Sequence, residues 1–410
     1  MHVLFLTDNF PPEVNAPASR TFEHCRNWIK SDHKVTVLTC VPNFPKGQVY
    51  EGYANKLWQK EVMDGINVIR VKTYISANEG FLKRTLDYLS FMISSFLAAL
   101  FVKKVDVVVG TSPQFFTVCS ACMVGFLKGI PWVFELRDIW PESIKAVGAI
   151  RSSFVLKILE RLELFLYGQA HAIVSVTNAF KENLVLRGVD AAKIHVVTNG
   201  VDVGFFKYSP KDEGLVKKYG LQKKFVAGYI GTHGMAHSLD ILLDAAKILQ
   251  DSRHSDRYRI VLIGDGSNKN QLRQRVAREA LENVIFIDTV PKKEVVGHWS
   301  ILDASIIHLK KAELFKTVIP SKLFESMGMG IPILHGVEGE SAQIVEKEKV
   351  GVLFEPEDAN GLIFGLQSLA DDKRRYEGLR RNCSKAAISY DRDKLAGEML
   401  KVLQRSASFG

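Results

Sequence analysis

Five cysteines in 410 residues, an odd number, do not make a disulfide framework, and with no secretory signal in view they point to the reducing cytoplasm. Cys119 and Cys122 form a C-x-x-C, but no second pair or nearby histidine completes a metal site, so they read as packing in the apolar run from Phe115 to Leu127. No apolar stretch reaches the ~20 residues that cross a bilayer. Zinc-finger spacing, RNP-like aromatic strands and strongly basic helices are all missing, so of the anionic partners that the formal charge of +9 suggests, nucleotide phosphates, an acidic membrane surface and nucleic acid, the last is the weakest, and no nucleic-acid partner is expected. Low-complexity tracts and long Pro/Ser linkers are missing too, and with them any role for disorder. After the first strand-like run there is no G-x-G-x-x-G. The turn reads TDNFPPEVNAPASR (residues 7–20) instead, against a dinucleotide oxidoreductase and in favour of a proline-stiffened wall for a substrate pocket.

The chain does hold two series of continuous apolar runs with helical patterns between them. The first comprises residues 2–7, 34–39, 66–71, 106–110, 132–136, 171–176 and 194–198. The second comprises residues 225–231, 259–264, 283–287, 304–309, 331–334 and 350–354. Such strands imply parallel sheets covered on both faces, hence an α/β protein of two Rossmann-like domains, at a length too great for one core. The boundaries are expected after residue 203 and after residue 388, giving domains 1–203 and 204–388, with the final helix (389–410) crossing back to the first domain. Ligands are then expected at the carboxyl ends of the strands, in a cleft between the domains.

Three strand-to-helix turns of the second half fall on one edge. GTHGMAH follows residue 230, with Gly231 and Gly234 allowing close backbone approach; GDGSNKNQL follows residue 263, with Gly264 and Gly266 allowing a tight turn. The third is VIPSKLFESMGMGIPIL (318–334): Pro320 and Ser321 start a helix, Gly328 and Gly330 stop it, and IPIL is a short buried strand. Lys322 and Glu325 have two readings there. Either Lys322 is solvated and Glu325 complements the helix dipole, or the first-turn N–H groups and Lys322 meet a phosphate while Glu325 accepts from sugar hydroxyls. Asp138, in ELRDIWPES, is either a sugar-hydroxyl acceptor or base, or a cap for the next turn. His233 and His237 lie near the same phosphate position, and a protonated His237 could supply charge. Asp391 and Asp393 imitate a D-x-D metal site but sit at a helix start, where capping explains them. YLSFMISSFLAALFV (88–102), flanked by Lys83, Arg84, Lys103 and Lys104, is a core helix or one lying on an anionic membrane surface.

The order of the PP-E loop, TNGVD, GYIG, IGDG and PSKLFESMGMGIPIL resembles the retaining glycosyltransferases of GT-B fold, family 4, over essentially the whole chain. FKTVIPSKLFESMGMG and ELRDIWPES are most similar to the transferases of bacterial O-antigen and capsule assembly, among them the N-acetyl-L-fucosaminyltransferases. The resemblance implies a nucleotide-sugar donor, UDP-linked by family habit, on the second domain, and an acceptor on the first. In the family two glutamates separated by seven residues hold donor sugar and ribose. Glu325 matches the second, and the first falls on Thr317. Lys322 would face the diphosphate with Ser321 and Leu323 of its helix, and Val290 would lie beside the base. The family's Arg and Lys are here Thr232 and His237, leaving Lys316 and Lys322 as replacements, and Arg137 and Asp138 stand where many relatives have His and Asp. No metal or other cofactor is needed on this reading. The expected acceptor is a polyprenyl-diphosphate-linked saccharide met at the inner leaflet by a cytoplasmic, peripheral enzyme. Two alternatives stand beside it: a nucleotide-sugar 2-epimerase, and a degenerate donor-binding subunit.

Overall fold

The computed structural model describes residues 1–44, 46–76, 81–139, 153–252 and 256–408. The chain divides into two compact units, Met1–Asn199 with Arg392–Gly410, and Gly200–Asp391. The sequence pattern alone puts these divisions after 203 and 388.

The first unit holds an eight-stranded sheet of β1 (His2–Leu6), β2 (Lys34–Cys40), β3 (Trp58–Met63), β4 (Ile66–Val71), β5 (Val107–Thr111), β6 (Trp132–Leu136), β7 (Ala172–Ser175) and β8 (Ile194–Val196), in the order β3-β4-β2-β1-β5-β6-β7-β8. All neighbours are parallel except β3 and β4. The strands are apolar throughout because helices cover both faces. Strand β3 escapes the apolar-run criterion. WQKEVM is a half-exposed edge strand, and its signal is the two-residue turn Asp64-Gly65, both at positive φ, that folds it onto β4. The helix Arg392–Ala407 packs into this unit through Leu395, Ala396, Met399, Leu400 and Leu403, the spacing of one helical face. Trp28 Nε1 donates to Ala396 O at 2.8 Å.

A buried ionic group ties the start of helix Ala16–Lys30 to the end of β8. Arg20 bonds Glu135 Oε1 at 2.9 Å, with both side chains almost wholly buried, and donates to the carbonyls of Val197 and Thr198 at 2.9 and 2.7 Å. Helices Phe81–Leu100 and Phe115–Lys128 pack together, with Ser95 Oγ and Ser120 Oγ 3.0 Å apart and Lys128 Nζ on the carbonyls of Leu100 and Val102. Cys119 and Cys122 are free and sit on that second helix against the core; burial pushes the Cys119 thiol up to about 12.

The second unit holds β9 (Phe225–Ile230), β10 (Tyr258–Ile263), β11 (Val284–Ile287), β12 (Ala304–His308), β13 (Ile333–Gly336) and β14 (Gly351–Leu353), all parallel, in the order β11-β10-β9-β12-β13-β14. Strand β13 begins two residues later than the apolar run suggests, because Pro332 has no N–H for the ladder. In each sheet the strand order reverses beside the first strand, between β1 and β5 and between β9 and β12. The loops that leave the carboxyl ends of those pairs diverge, and ligand crevices form there.

Candidate functional site

At the β9/β12 reversal three chain segments meet. Strand β9 ends at Gly231, followed by Thr232, His233, Gly234 and a 3-10 turn, Met235–His237. This loop is tied to the end of β12: His308 Nδ1 lies 2.8 Å from His237 O, and Lys310 N donates to Ala236 O at 2.8 Å. His308 Nε2 accepts from the Glu357 amide at 2.9 Å, so that proton assignment leaves Nδ1 to donate. The third segment is the helix Lys322–Met329.

Lys322 reaches across to the first loop. Gly231, at φ +144°, leaves it room: a Cβ there would fall 2.2 Å from Lys322 Cε and 2.6 Å from Nζ. The ammonium stands 5.0 Å from the centroid of the Tyr229 ring, whose hydroxyl donates to Thr232 O at 2.9 Å. Burial holds Lys322 below the ordinary lysine range, and the Glu325 carboxylate one turn on works the other way. A cation so placed at a helix N-terminus, on a ring face, is a preorganised partner for an anion.

The structure gives the other expected residues different surroundings. Gly264 and Gly266 serve loop packing: a Cβ at Gly264 would lie 2.0 Å from Gly231 O, and one at Gly266 would lie 2.5 Å from His233 O. The two glycine turns are pressed backbone to backbone, which only glycine permits. Lys269, which no sequence motif marks, fixes the second turn through Gly264 O (2.7 Å) and Asp288 Oδ1 (2.6 Å). Ser321 is not an N-cap by its side chain. It is already helical, and its carbonyl accepts from the amides of Phe324 and Glu325. Leu323 is wholly buried, with its N–H on Pro320 O at 3.0 Å. Gly328 lies inside the helix, pressed on Phe206; only Gly330, left-handed at φ 66°, ends it.

Lys316 is a half-exposed residue of the 3-10 turn Glu313–Thr317, paired with Glu313 at 2.7 Å and Glu338 at 3.6 Å, so its charge is already engaged by carboxylates. Thr317 turns its hydroxyl back to Leu314 O at 2.9 Å. Val290 is half-buried against the core between β11 and the next helix. The idea of a protonated His237 is corrected. Burial first, and then Lys322, lower it to about 4, so the ring is neutral near pH 7. His233 is fully buried, also lowered to about 4 by burial and Lys269, and packs between Tyr229 and Phe286.

In the first unit Asp138 follows β6, half-buried, with its amide and that of Arg137 on Ser112 Oγ at 3.2 and 2.8 Å. Residues 140–143 of its motif lie outside the described residues. Burial pulls the Arg137 guanidinium down to about 10. Of the long loop after β1, residues from Ala16 belong to a helix capped by Asn15, whose Oδ1 accepts from Ala18 N at 2.9 Å. The remainder, with Asp8, Asn9 and Glu13, lines a cavity of about 270 Å³ at the β1/β5 reversal. Among the described residues no cluster of His, Cys, Asp and Glu could hold a metal ion, and Asp391 pairs as a bridge with Val201.

Two α/β units, each with a strand-order reversal beside its first strand, define a doubly wound protein, and in the second a lysine sits at a helix N-terminus beside that reversal. Comparison with known proteins narrows this. The family model for the "Glycosyl transferase 4-like domain" matches residues 15–200, and that for "Glycosyl transferases group 1" matches residues 212–390. The chain belongs to the GT-B glycosyltransferases of family 4. The glycosyl transferase WcaI of Escherichia coli (strain K12), assigned to colanic acid biosynthesis, is 23% identical over 381 residues, covering 90% of this chain and 91% of WcaI. A GDP-mannose-dependent alpha-mannosyltransferase of Mycobacterium tuberculosis is 23% identical, covering 92% and 90%. Among solved structures, Anabaena Alr3699/HepE in complex with UDP and glucose superposes with a TM-score of 0.70 at 17% identity, covering 98% of this chain and 99% of HepE. Sucrose-phosphate synthase of Thermosynechococcus elongatus gives 0.74 at 12% identity over the full length of both chains.

Proposed function

We propose that this chain is a retaining glycosyltransferase that moves a sugar, N-acetyl-L-fucosamine the first choice, from a UDP-sugar to a polyprenyl-diphosphate-linked saccharide in bacterial surface-polysaccharide synthesis. The observation that carries the donor half is Lys322, held at the N-terminus of its helix in the gap left by Gly231. Departure of the nucleoside diphosphate builds negative charge on its phosphates, and a desolvated ammonium and helix N–H groups aimed there stabilise that charge as it develops. Glu325, one turn along, takes the ribose hydroxyls. Asp138 serves the acceptor hydroxyl in the first unit. No carboxylate nucleophile is assigned; the acceptor attacks on the face the diphosphate leaves, and the phosphate takes the proton. UDP is preferred over GDP on the HepE complexes, although a GDP-mannose-dependent enzyme is among the relatives.

Surface chemistry supports a lipid-linked acceptor. No helix among the described residues is long and apolar enough to cross a membrane. Yet Leu86, Ile93, Leu97 and Phe101 line the exposed side of helix Phe81–Leu100 and its end, and Phe126 and Leu127 stand out on its neighbour, Phe126 at 84% exposure. Lys83, Lys103 and Lys104 flank them, a pairing of apolar and basic groups suited to an anionic leaflet. The test is transfer of labelled sugar from UDP-N-acetyl-L-fucosamine, and from a panel of other UDP- and GDP-sugars, into the solvent-extractable lipid of bacterial membranes. UDP-dependent label in lipid, absent with Lys322→Ala, is expected; label that stays water-soluble, or transfer only from GDP-sugars, contradicts the proposal.

A further inference from the structure

In the second unit the loop of residues 231–238 is tied down from a segment more than a hundred residues further along the chain. Glu357 stands in the turn after β14, just ahead of helix Ala359–Asp371, and its backbone is left-handed at φ 66°. Ser238 ends the 3-10 turn Met235–His237 and is left-handed too, at φ 43°. Neither is glycine, asparagine or aspartate, the residues that enter that region most readily. Strain of this kind persists only where surrounding contacts over-determine it, and it collects at ligand clamps.

The contacts converge on the two residues. Ser238 Oγ donates to Glu357 Oε1 at 3.0 Å, and Lys311 N donates to Glu357 Oε2 at 3.3 Å, so one carboxylate joins the segments that follow β9 and β12. The Glu357 amide donates to His308 Nε2 at 2.9 Å, and His308 Nδ1 donates in turn to His237 O at 2.8 Å. Glu357 thus reaches the 231–238 loop twice, directly through its side chain and through its amide by way of an imidazole. That imidazole has little room to yield. His308 is 1% exposed, its ring lies parallel to that of Phe354 with centroids 6.0 Å apart, and a Cβ at Gly336 would fall 2.8 Å from its Cδ2. Burial lowers its pKa, which keeps the ring neutral and Nε2 able to accept.

What the loop carries is the setting of Lys322. Gly231 at its start leaves the gap for the lysine side chain, and Thr232 O holds the Tyr229 hydroxyl. The His237 ring packs on the Tyr229 ring with centroids 5.7 Å apart, and the Lys322 ammonium stands 5.0 Å from the centroid of that same tyrosine. A slip at Ser238 therefore moves His237, and with it the ring on which Lys322 rests.

We propose that Glu357 is a positioning residue for nucleoside-diphosphate binding: its carboxylate and its amide, through Ser238 and His308, hold the 231–238 loop in the arrangement that seats Lys322. The proposal rests on the donor reading of Lys322 given above. The variants that test it are Glu357→Gly and Ser238→Gly, because glycine is at ease at both backbone angles and so relieves strain while it deletes the tether. Without ligand, melting temperatures within about 3 °C of wild type are expected. Amide exchange read by mass spectrometry on the full chain should nevertheless quicken in the peptide spanning residues 231–238. Calorimetric titration should find UDP roughly 3- to 10-fold weaker, the net contribution of one hydrogen bond. The double variant should lose no more than Glu357→Gly alone, since Ser238 acts only through that carboxylate. Glu357→Gln keeps an acceptor oxygen for Ser238 and should fall closer to wild type than Glu357→Gly. Exchange and UDP affinity both unchanged in the glycine variants would overturn the proposal. So would losses that add in the double variant, or a Glu357→Gln as weak as Glu357→Gly. A wild type that binds no nucleotide, with exchange quickened in the variants, counts against the donor reading and supports the tether.

Discussion

Gly231→Ala reports on the proposed donor cradle from its least obvious side. The added methyl meets no backbone, only the far end of Lys322, at 2.2 Å from Cε, so the side chain must swing off Tyr229 and out of the gap. Strain at φ +144° adds about 1–3 kcal/mol to the folding cost. A charge-assisted contact is worth about 1.5–3 kcal/mol, so displacing the ammonium should weaken UDP by about 10- to 150-fold. Lys322→Ala should weaken UDP by the same factor while barely lowering stability, since it removes a charge that burial disfavours. The decisive variant is the double. If Gly231 acts by making room for Lys322, then Gly231→Ala costs no further affinity once Lys322 is alanine. Calorimetric titration with UDP on wild type, both single variants and the double closes the cycle, and losses that simply add would refute the reasoning.

Three further outcomes follow from other parts of the chain. Asp87 has its pKa raised from 3.8 to about 7, so the folded state holds a proton the unfolded chain has lost; the resulting penalty is absent below pH 3.8, grows between, and is complete above about 7. Melting temperatures of Asp87→Asn should therefore exceed wild type by a margin that widens from pH 4 to 7 and then levels, and a margin independent of pH contradicts this. Arg20→Ala leaves Glu135 buried without its partner and should cost about 3–5 kcal/mol in urea denaturation, most of it recovered by adding Glu135→Ala; a loss under about 1 kcal/mol would show that the pair is not what holds β8. Replacing Leu97 and Phe126 by aspartate should abolish sedimentation with phosphatidylglycerol vesicles at low salt while leaving UDP binding intact, and binding equal to wild type would remove the membrane reading.

The sheets were legible because parallel strands buried on both faces must be apolar from end to end, a property of consecutive residues. Strand β3 was not, since an edge strand alternates and needs its turn, Asp64-Gly65, to announce it. In the second unit the sequence marked Lys322 and Gly231, and the structure adds the reason for the glycine, which is the room it leaves for the Lys322 side chain. Gly264 and Gly266 looked like ligand contacts, yet what excludes a side chain there is the backbone of a loop some thirty residues earlier. Lys269 and His308 were passed over for the same reason: their partners, Asp288 and His237, lie in other loops. The carboxyl cluster of the first unit is further from view, because Asp8, after β1, and Asp87, on the helix Phe81–Leu100, come together only as linings of one cavity in the folded unit.

The central claim is that the second unit binds a nucleoside diphosphate on Lys322, and a melting-temperature titration with UDP, GDP and ADP tests it most directly. A ligand that binds only the folded chain stabilises it by about 2.7 kcal/mol at a hundred times its Kd. The account predicts a rise that grows with UDP concentration, exceeds that with GDP or ADP, and is lost in Lys322→Ala. No rise with any of the three, or an undiminished rise in the variant, would contradict it.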